Sequence, residues 1–201
     1  MKTIGSGEPV RKETLGQGHF EALYAARPDP WGLATSDYER AKYAATLAAL
    51  PRARYARGFE VGCALGILSG ELGRRCDDLL AVEPVAVALM AAQARNADQP
   101  HIRFAPMMVP AQWPEGSFDL VVLSEVIDYL GAEDVVVLAR CVVDGLEQGG
   151  DVVMVHWVGK KRGPPSGEEA SDRFIAAAGR SLAVRRQERN ADYRLDVLTR
   201  L

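Results

Sequence analysis

The chain has 201 residues, 48% hydrophobic and 25% charged, and its 24 Lys and Arg against 27 Asp and Glu give a net charge of -3. That composition belongs to a folded globular protein, excludes a collagen-like or disordered chain, and with no long basic block argues against nucleic acid as a partner. There is no signal-peptide core and no run near the roughly 20 apolar residues of a membrane span, and the odd, scattered cysteines (Cys63, Cys76, Cys141) suit a reducing cytoplasm rather than disulfides or a metal site.

Residues 1–18 are rich in glycine and read as a loose arm ahead of one domain over 19–201. A helical pattern over His19–Arg27 stops at Pro28 and Pro30, because proline lacks an amide proton and restricts the residue before it. Ser36 and Glu39 have the spacing of a capping box, which opens a second helix over Asp37–Leu50. Segment 19–50 carries Tyr24, Trp31, Tyr38 and Tyr43 and is expected to form an aromatic lid.

Strands and helices then alternate. Strands are expected at Gly58–Val61, Leu79–Glu83, His101–Phe104, Phe118–Ser124 and Asp151–Trp157. Helices are expected at Ile67–Cys76, Val85–Asn96, Val135–Leu146 and Glu168–Ala178, the last preceded by a turn-rich loop over Arg162–Gly167. Near-continuous β-branched runs between helices indicate parallel strands covered on both faces, hence a doubly wound α/β fold. Leu182–Glu188 and Tyr193–Leu201, joined across Arg189–Asp192, end the chain as an antiparallel hairpin.

The strongest chemical signal is Glu60-Val61-Gly62-Cys63-Ala64-Leu65-Gly66, which ends the first strand and opens a helix. Glycines let the backbone turn sharply beside a ligand, and helix-terminal amides are expected to face it. Glu83, 23 residues after Glu60, ends the next strand, where a carboxylate can accept both hydroxyls of a ribose. Because position 64 is Ala, the dinucleotide fingerprint is incomplete.

The Glu-x-Gly-x-x-x-Gly form followed by an acidic strand end resembles the cofactor loop of class I S-adenosylmethionine-dependent methyltransferases. That resemblance implies a Rossmann-like, mostly parallel seven-stranded sheet with a C-terminal antiparallel hairpin. It further implies S-adenosylmethionine as cofactor, with Glu60, Gly62, Cys63 and Gly66 near its methionine part and Glu83 on its ribose. Met107 and Met108 would pack on adenine, Ser124 and Tyr43 would complete the site, and Arg40 would pair with the cofactor carboxylate.

Four further segments narrow the resemblance: Pro28-Asp29-Pro30-Trp31, Ser36-Asp37-Tyr38-Glu39-Arg40-Ala41-Lys42-Tyr43, Phe118 through Val126, and His156-Trp157. Together they resemble the nodulation S group of methyltransferases, whose founding members N-methylate the sugar amine of a rhizobial lipo-chitooligosaccharide. The implied partner is a small-molecule methyl acceptor bearing an amine or hydroxyl, with a sugar or amino sugar of specialised metabolism as its class; no oligomeric state is implied. Glu125, Asp128 and His156 are candidate bases, and Trp31, Tyr129 and Trp157 candidate acceptor contacts. Departures from the group at Asp128, Val158 and Ser171 leave open an alternative, a cofactor-binding scaffold of the same fold that does not transfer methyl.

Overall fold

A computed structural model describes residues 13–158 and 166–201, so most of the expected arm and most of the expected 162–167 loop lie outside the described residues. The strands are β1 (Tyr55–Val61), β2 (Cys76–Val82), β3 (Ile102–Ala105), β4 (Phe118–Ser124), β5 (Leu146–Trp157), β6 (Leu182–Arg189) and β7 (Tyr193–Arg200). They form one seven-stranded sheet in the order β3-β2-β1-β4-β5-β7-β6. The first five strands run parallel, and β7 is antiparallel to both β5 and β6.

Among the described residues six α-helices accompany the sheet: α1 (Gln17–Ala26), α2 (Asp37–Ala49), α3 (Ile67–Gly73), α4 (Ala86–Arg95), α5 (Ala132–Gly145) and α6 (Gly167–Ala178). Alternation along each strand divides the core into two layers. In β4, Val121 and Leu123 join Leu138 and Val142 of α5 and Phe174 of α6, whereas Leu120 and Val122 join Leu72 of α3 and Leu89 of α4. All four β4 side chains are fully buried, as the apolar run predicts for a strand covered on both faces.

Several boundaries move for identifiable reasons. β1 begins at Tyr55 rather than Gly58 because the Asp119 carboxylate accepts the amides of Ala56 and Arg57, at 2.9 and 2.8 Å, and holds this polar stretch in the ladder. β5 reaches back to Leu146 through a register shift opposite Phe118 and Leu120. The expected capping box at Ser36 forms only halfway: the serine accepts from the Glu39 amide at 3.3 Å, but the Glu39 side chain turns to Lys42. A complete box forms at Ser166 and Glu169 instead, opening α6.

The β4 contribution is open to direct measurement. Leu120→Ala removes buried atoms between β1 and β5, and urea unfolding is expected to show a loss of about 2–5 kcal/mol.

Candidate functional site

Strand order reverses between β1 and β4, since β2 and β3 lie on one side of this pair and β5 on the other. In a doubly wound sheet, the carboxyl ends of the strands leave a crevice at such a reversal. Here it is a cavity of about 470 Å³, a volume within the range of small-molecule pockets. The ends of β1, β2 and β4 supply one wall, with Met107 and Met108 after β3. Phe20, Tyr24, Trp31, Tyr38, Glu39 and Tyr43 from the N-terminal helical segment supply the other. An edge-to-face ring contact between Phe20 and Tyr129, centroids 5.3 Å apart, ties that segment to the turn after β4, and one between Tyr24 and Trp31, at 5.6 Å, braces it internally.

The turn after β1 is shaped by Gly62, whose φ is +71° and whose Cα could carry a Cβ only at 2.9 Å from Val126 Cγ2. Four amides of this loop are committed within the protein. Gly62 and Cys63 both donate to the Val82 carbonyl at 2.9 Å, Gly66 donates to Cys63, and Ala64 donates to the Glu83 carboxylate at 3.1 Å. At these four positions the loop therefore offers a ligand room and side chains rather than backbone donors.

Those side chains are unusual. Glu60 is almost fully buried and accepts from Ser69 Oγ at 2.5 Å, and Glu83, also buried, accepts from the amides of Ala64 and Val85. Burial pushes both carboxyls up to about 7, with these hydrogen bonds pulling the other way. Near neutral pH each is poised between its two forms, and a ligand that donates hydrogen bonds to them favours the ionised one. Beside Glu83 and Cys63 stands the buried Tyr24 hydroxyl, a donor with no hydrogen-bond partner among the described residues. Buried polar groups are normally satisfied, so this orphan donor also suits an incoming polar ligand.

A second acidic group gathers at the end of β4. Glu125 has φ +55°, a left-handed conformation that costs a residue with a side chain about 1–2 kcal/mol. Its Oε1 accepts from Lys42 Nζ at 2.8 Å and from the Trp157 amide at 3.0 Å. The Lys42 side chain is only 1% exposed; its Nζ also meets Glu39 at 3.0 Å and lies 5.0 Å from the centre of the Tyr38 ring. Burial alone would raise the Glu125 carboxyl. The charge of Lys42, the nearby His156, the Lys42 hydrogen bond and the Trp157 amide outweigh burial and hold it below the ordinary range.

Most of the sequence candidates line this one cavity: Glu60, Gly62, Cys63, Glu83, Met107, Met108 and Ser124 on the sheet side, with Trp31, Tyr43, Glu125, Tyr129 and Trp157 around them. Four do not. Arg40 is exposed and turns its guanidinium to Asp37 and the Thr35 carbonyl, so it is no partner for a cavity ligand. Gly66 serves helix packing, since a Cβ there would sit 2.8 Å from the Ala92 backbone. Asp128 is buried in a single turn of 3-10 helix, outside the lining.

His156 fails as a base for a clearer reason. It is fully buried, and its Nε2 accepts from the amides of Val126 and Ile127, both at 3.3 Å, which places the ring proton on Nδ1. Burial drops its pKa to about 4. Sequence reasoning passed over Lys42 and Glu39 at this wall: Glu39 read as a helix cap, and Lys42 was given no role of its own.

A family model described as Nodulation protein S (NodS) matches residues 21–155. A nodulation protein S from Rhizobium tropici is 34% identical over 107 residues, covering 53% of this chain and 45% of that protein, so the chain spans about half the length of this curated relative. A crystal structure from Pseudomonas syringae that bears a provisional methyltransferase name shares 39% identity, with a TM-score of 0.71 over 81% of this chain and 99% of that one. The N-methyltransferase NodS from Bradyrhizobium japonicum WM9, solved with S-adenosyl-L-homocysteine, superposes with a TM-score of 0.76 at 21% identity, over 90% of this chain and 97% of that one. At that identity the likeness establishes the fold.

The role of His156 has its own measurable consequence. His156→Ala strands two amides in a buried turn, and urea unfolding is expected to show a loss of about 1–3 kcal/mol. A general base would reveal itself differently, by lost turnover at unchanged stability.

Proposed function

Because the chain belongs to the nodulation protein S family, we propose that it is an S-adenosylmethionine-dependent methyltransferase acting on an amine of a small molecule. One observation carries the proposal: a single cavity at the sheet's reversal point holds buried carboxyls on successive strand ends, Glu60 and Glu83, together with an ionised Glu125. Glu83 would accept from the ribose hydroxyls, Glu60 would face the methionine ammonium, and Met107 and Met108 would pack on the adenine. The orphan Tyr24 hydroxyl and the cavity beside Gly62 fit a polar ligand against this wall. When bound, S-adenosylmethionine supplies an activated methyl group on a sulfonium sulfur.

The chain's own work is then orientation and charge. Holding two reactants in line can contribute roughly 7–11 kcal/mol, and the aromatic helical segment keeps water from the pair. A carboxyl held below its ordinary range is too weak a base to strip an alkylammonium. Glu125 instead accepts a hydrogen bond from a neutral amine and steadies the positive charge that grows on nitrogen as the new bond forms. This favours an amine over a hydroxyl acceptor: a hydroxyl needs a base effective near neutrality, and buried His156 does not line the cavity. The family resemblance makes a sugar amine the first acceptor class to try.

Calorimetric titration with S-adenosylhomocysteine tests the cofactor site. Micromolar binding is expected, and Gly62→Arg, which sets a long side chain on the cavity lining, is expected to abolish it, with circular dichroism checking that the variant is folded. Folded wild-type protein that does not bind would overturn the proposal, and binding without transfer to any amine would favour the scaffold alternative.

The same titration has a pH signature. The ligand-free carboxyls of Glu60 and Glu83 lie near 7 and the bound state favours their ionised forms, so binding releases protons below that value. Affinity is expected to weaken as pH falls from 8 to 6, by about tenfold for each carboxyl that the ligand engages. Flat affinity across this window would show that neither carboxyl contacts the ligand.

A further inference from the structure

We propose that Lys42 is a positioning residue for methyl transfer: its buried ammonium fixes one oxygen of Glu125 to the helical segment, so that the other oxygen is presented to the acceptor amine. This rests on the methyltransferase reading of the cavity. The two residues are 83 positions apart, and their 2.8 Å contact ties α2 to the end of β4.

Three observations converge on this. A lysine is almost never fully buried unless its charge is met, and Lys42 is met by two carboxylates and a ring face. Both bonds that the scaffold gives Glu125 go to Oε1, while Oε2 has no hydrogen bond among the described residues. Glu125 also sits in a strained backbone conformation, of the kind that persists where surrounding contacts over-determine it and that clusters at functional sites.

Charge supports the same role. The groups facing Glu125 are Lys42, Glu39, Tyr38 and Tyr43 from α2 and His156 from β5. At neutral pH the imidazole is uncharged, so Lys42 is the cation among them. Two carboxylates around one ammonium leave the wall with net negative charge. That suits a nitrogen that turns cationic as its bond to the methyl carbon forms and the carbon–sulfur bond breaks, the electron pair leaving on sulfur. The new ammonium then loses its proton to solvent.

The test uses full-length protein, glucosamine as acceptor probe and release of S-adenosylhomocysteine as readout, comparing wild type with Lys42→Met, Glu125→Gln and the double variant. Lys42→Met is expected to keep its affinity for S-adenosylhomocysteine and to lose about 100-fold in kcat at neutral pH, the scale of loss when a reacting pair is misplaced. Without the cation, burial raises the Glu125 carboxyl unopposed, so part of the loss should return as pH rises. A bare structural brace would show no such recovery. The double variant should be no slower than Glu125→Gln.

Carbon-13 titration of the Glu125 carboxyl, assigned with Glu125→Gln, needs no turnover: its midpoint should rise in Lys42→Met. A wild-type pH profile and kcat in Lys42→Met, or an unmoved carboxyl midpoint, would overturn the inference. If Lys42→Met does not fold, Lys42→Arg decides, since it keeps the charge but shifts the oxygen. A lower kcat at an unchanged pH profile supports the role, and full kcat overturns it. Wild-type protein that binds S-adenosylhomocysteine but transfers methyl to no amine in a panel refutes the methyltransferase reading instead, and the carboxyl titration then still decides whether Lys42 sets the charge of Glu125.

Discussion

Where β1 and β4 lie side by side, the neighbouring strands of each lie in opposite directions, so the loops that follow these two strands part and leave their carboxyl ends open. Three of the four acidic groups that line the cavity are placed by that gap, Glu39 of α2 being the fourth. Glu60 is the last residue but one of β1, and Glu83 and Glu125 each stand one residue past the ends of β2 and β4, anchored by these packed strands. Side chains held this way keep their positions when a ligand arrives, the condition under which oriented dipoles and charges act most strongly.

Such an arrangement destabilises the ligand-free protein. Glu60 and Glu83 are buried with hydrogen bonds too few to hold their carboxyls at ordinary values, so their ionised forms oppose folding as pH rises from about 4.5 to 7. Ala64 and Glu125 add positive φ angles without being glycine. These features gather around one cavity, while the rest of the sheet is conventional in pattern and packing. Strain concentrated at one site in a well-packed scaffold is the usual physical mark of a place shaped for binding rather than stability.

The sequence told the fold through its strands and missed where side chains choose partners. β4, Phe118–Ser124, was legible to the residue because it is built on the apolar run Leu120-Val121-Val122-Leu123. The start of β1 was not, because Ala56 and Arg57 enter the ladder only through Asp119, more than sixty positions away. Glu60 and Glu83 were legible as strand-end acids, since chain order alone sets their place. His156 ends the same kind of strand, yet its ring turns into the turn after β4, and chain order does not encode that choice. Arg40 and Lys42 show the same limit at close range. Two positions apart on a helix, they face different ways: the arginine lies in solvent, and the lysine meets a carboxylate that the sequence could not bring beside it.

The cluster around Lys42 also bears on why this chain keeps charges where apolar packing would be simpler. Replacing a buried ion pair with well-packed hydrophobic side chains is often neutral or stabilises a protein by about 1–4 kcal/mol, so stability is a weak reason to retain one. Here the cluster touches the cavity through Glu39 and Glu125, and the lysine itself lies behind them, almost fully buried. A hydrophobic substitute would brace α2 against the sheet equally well but would leave Glu125 in a buried site with no cation beside it, where burial favours its neutral form. The ion cluster thus does what apolar packing cannot: it keeps a cation beside Glu125 and so sets the charge of the cavity wall.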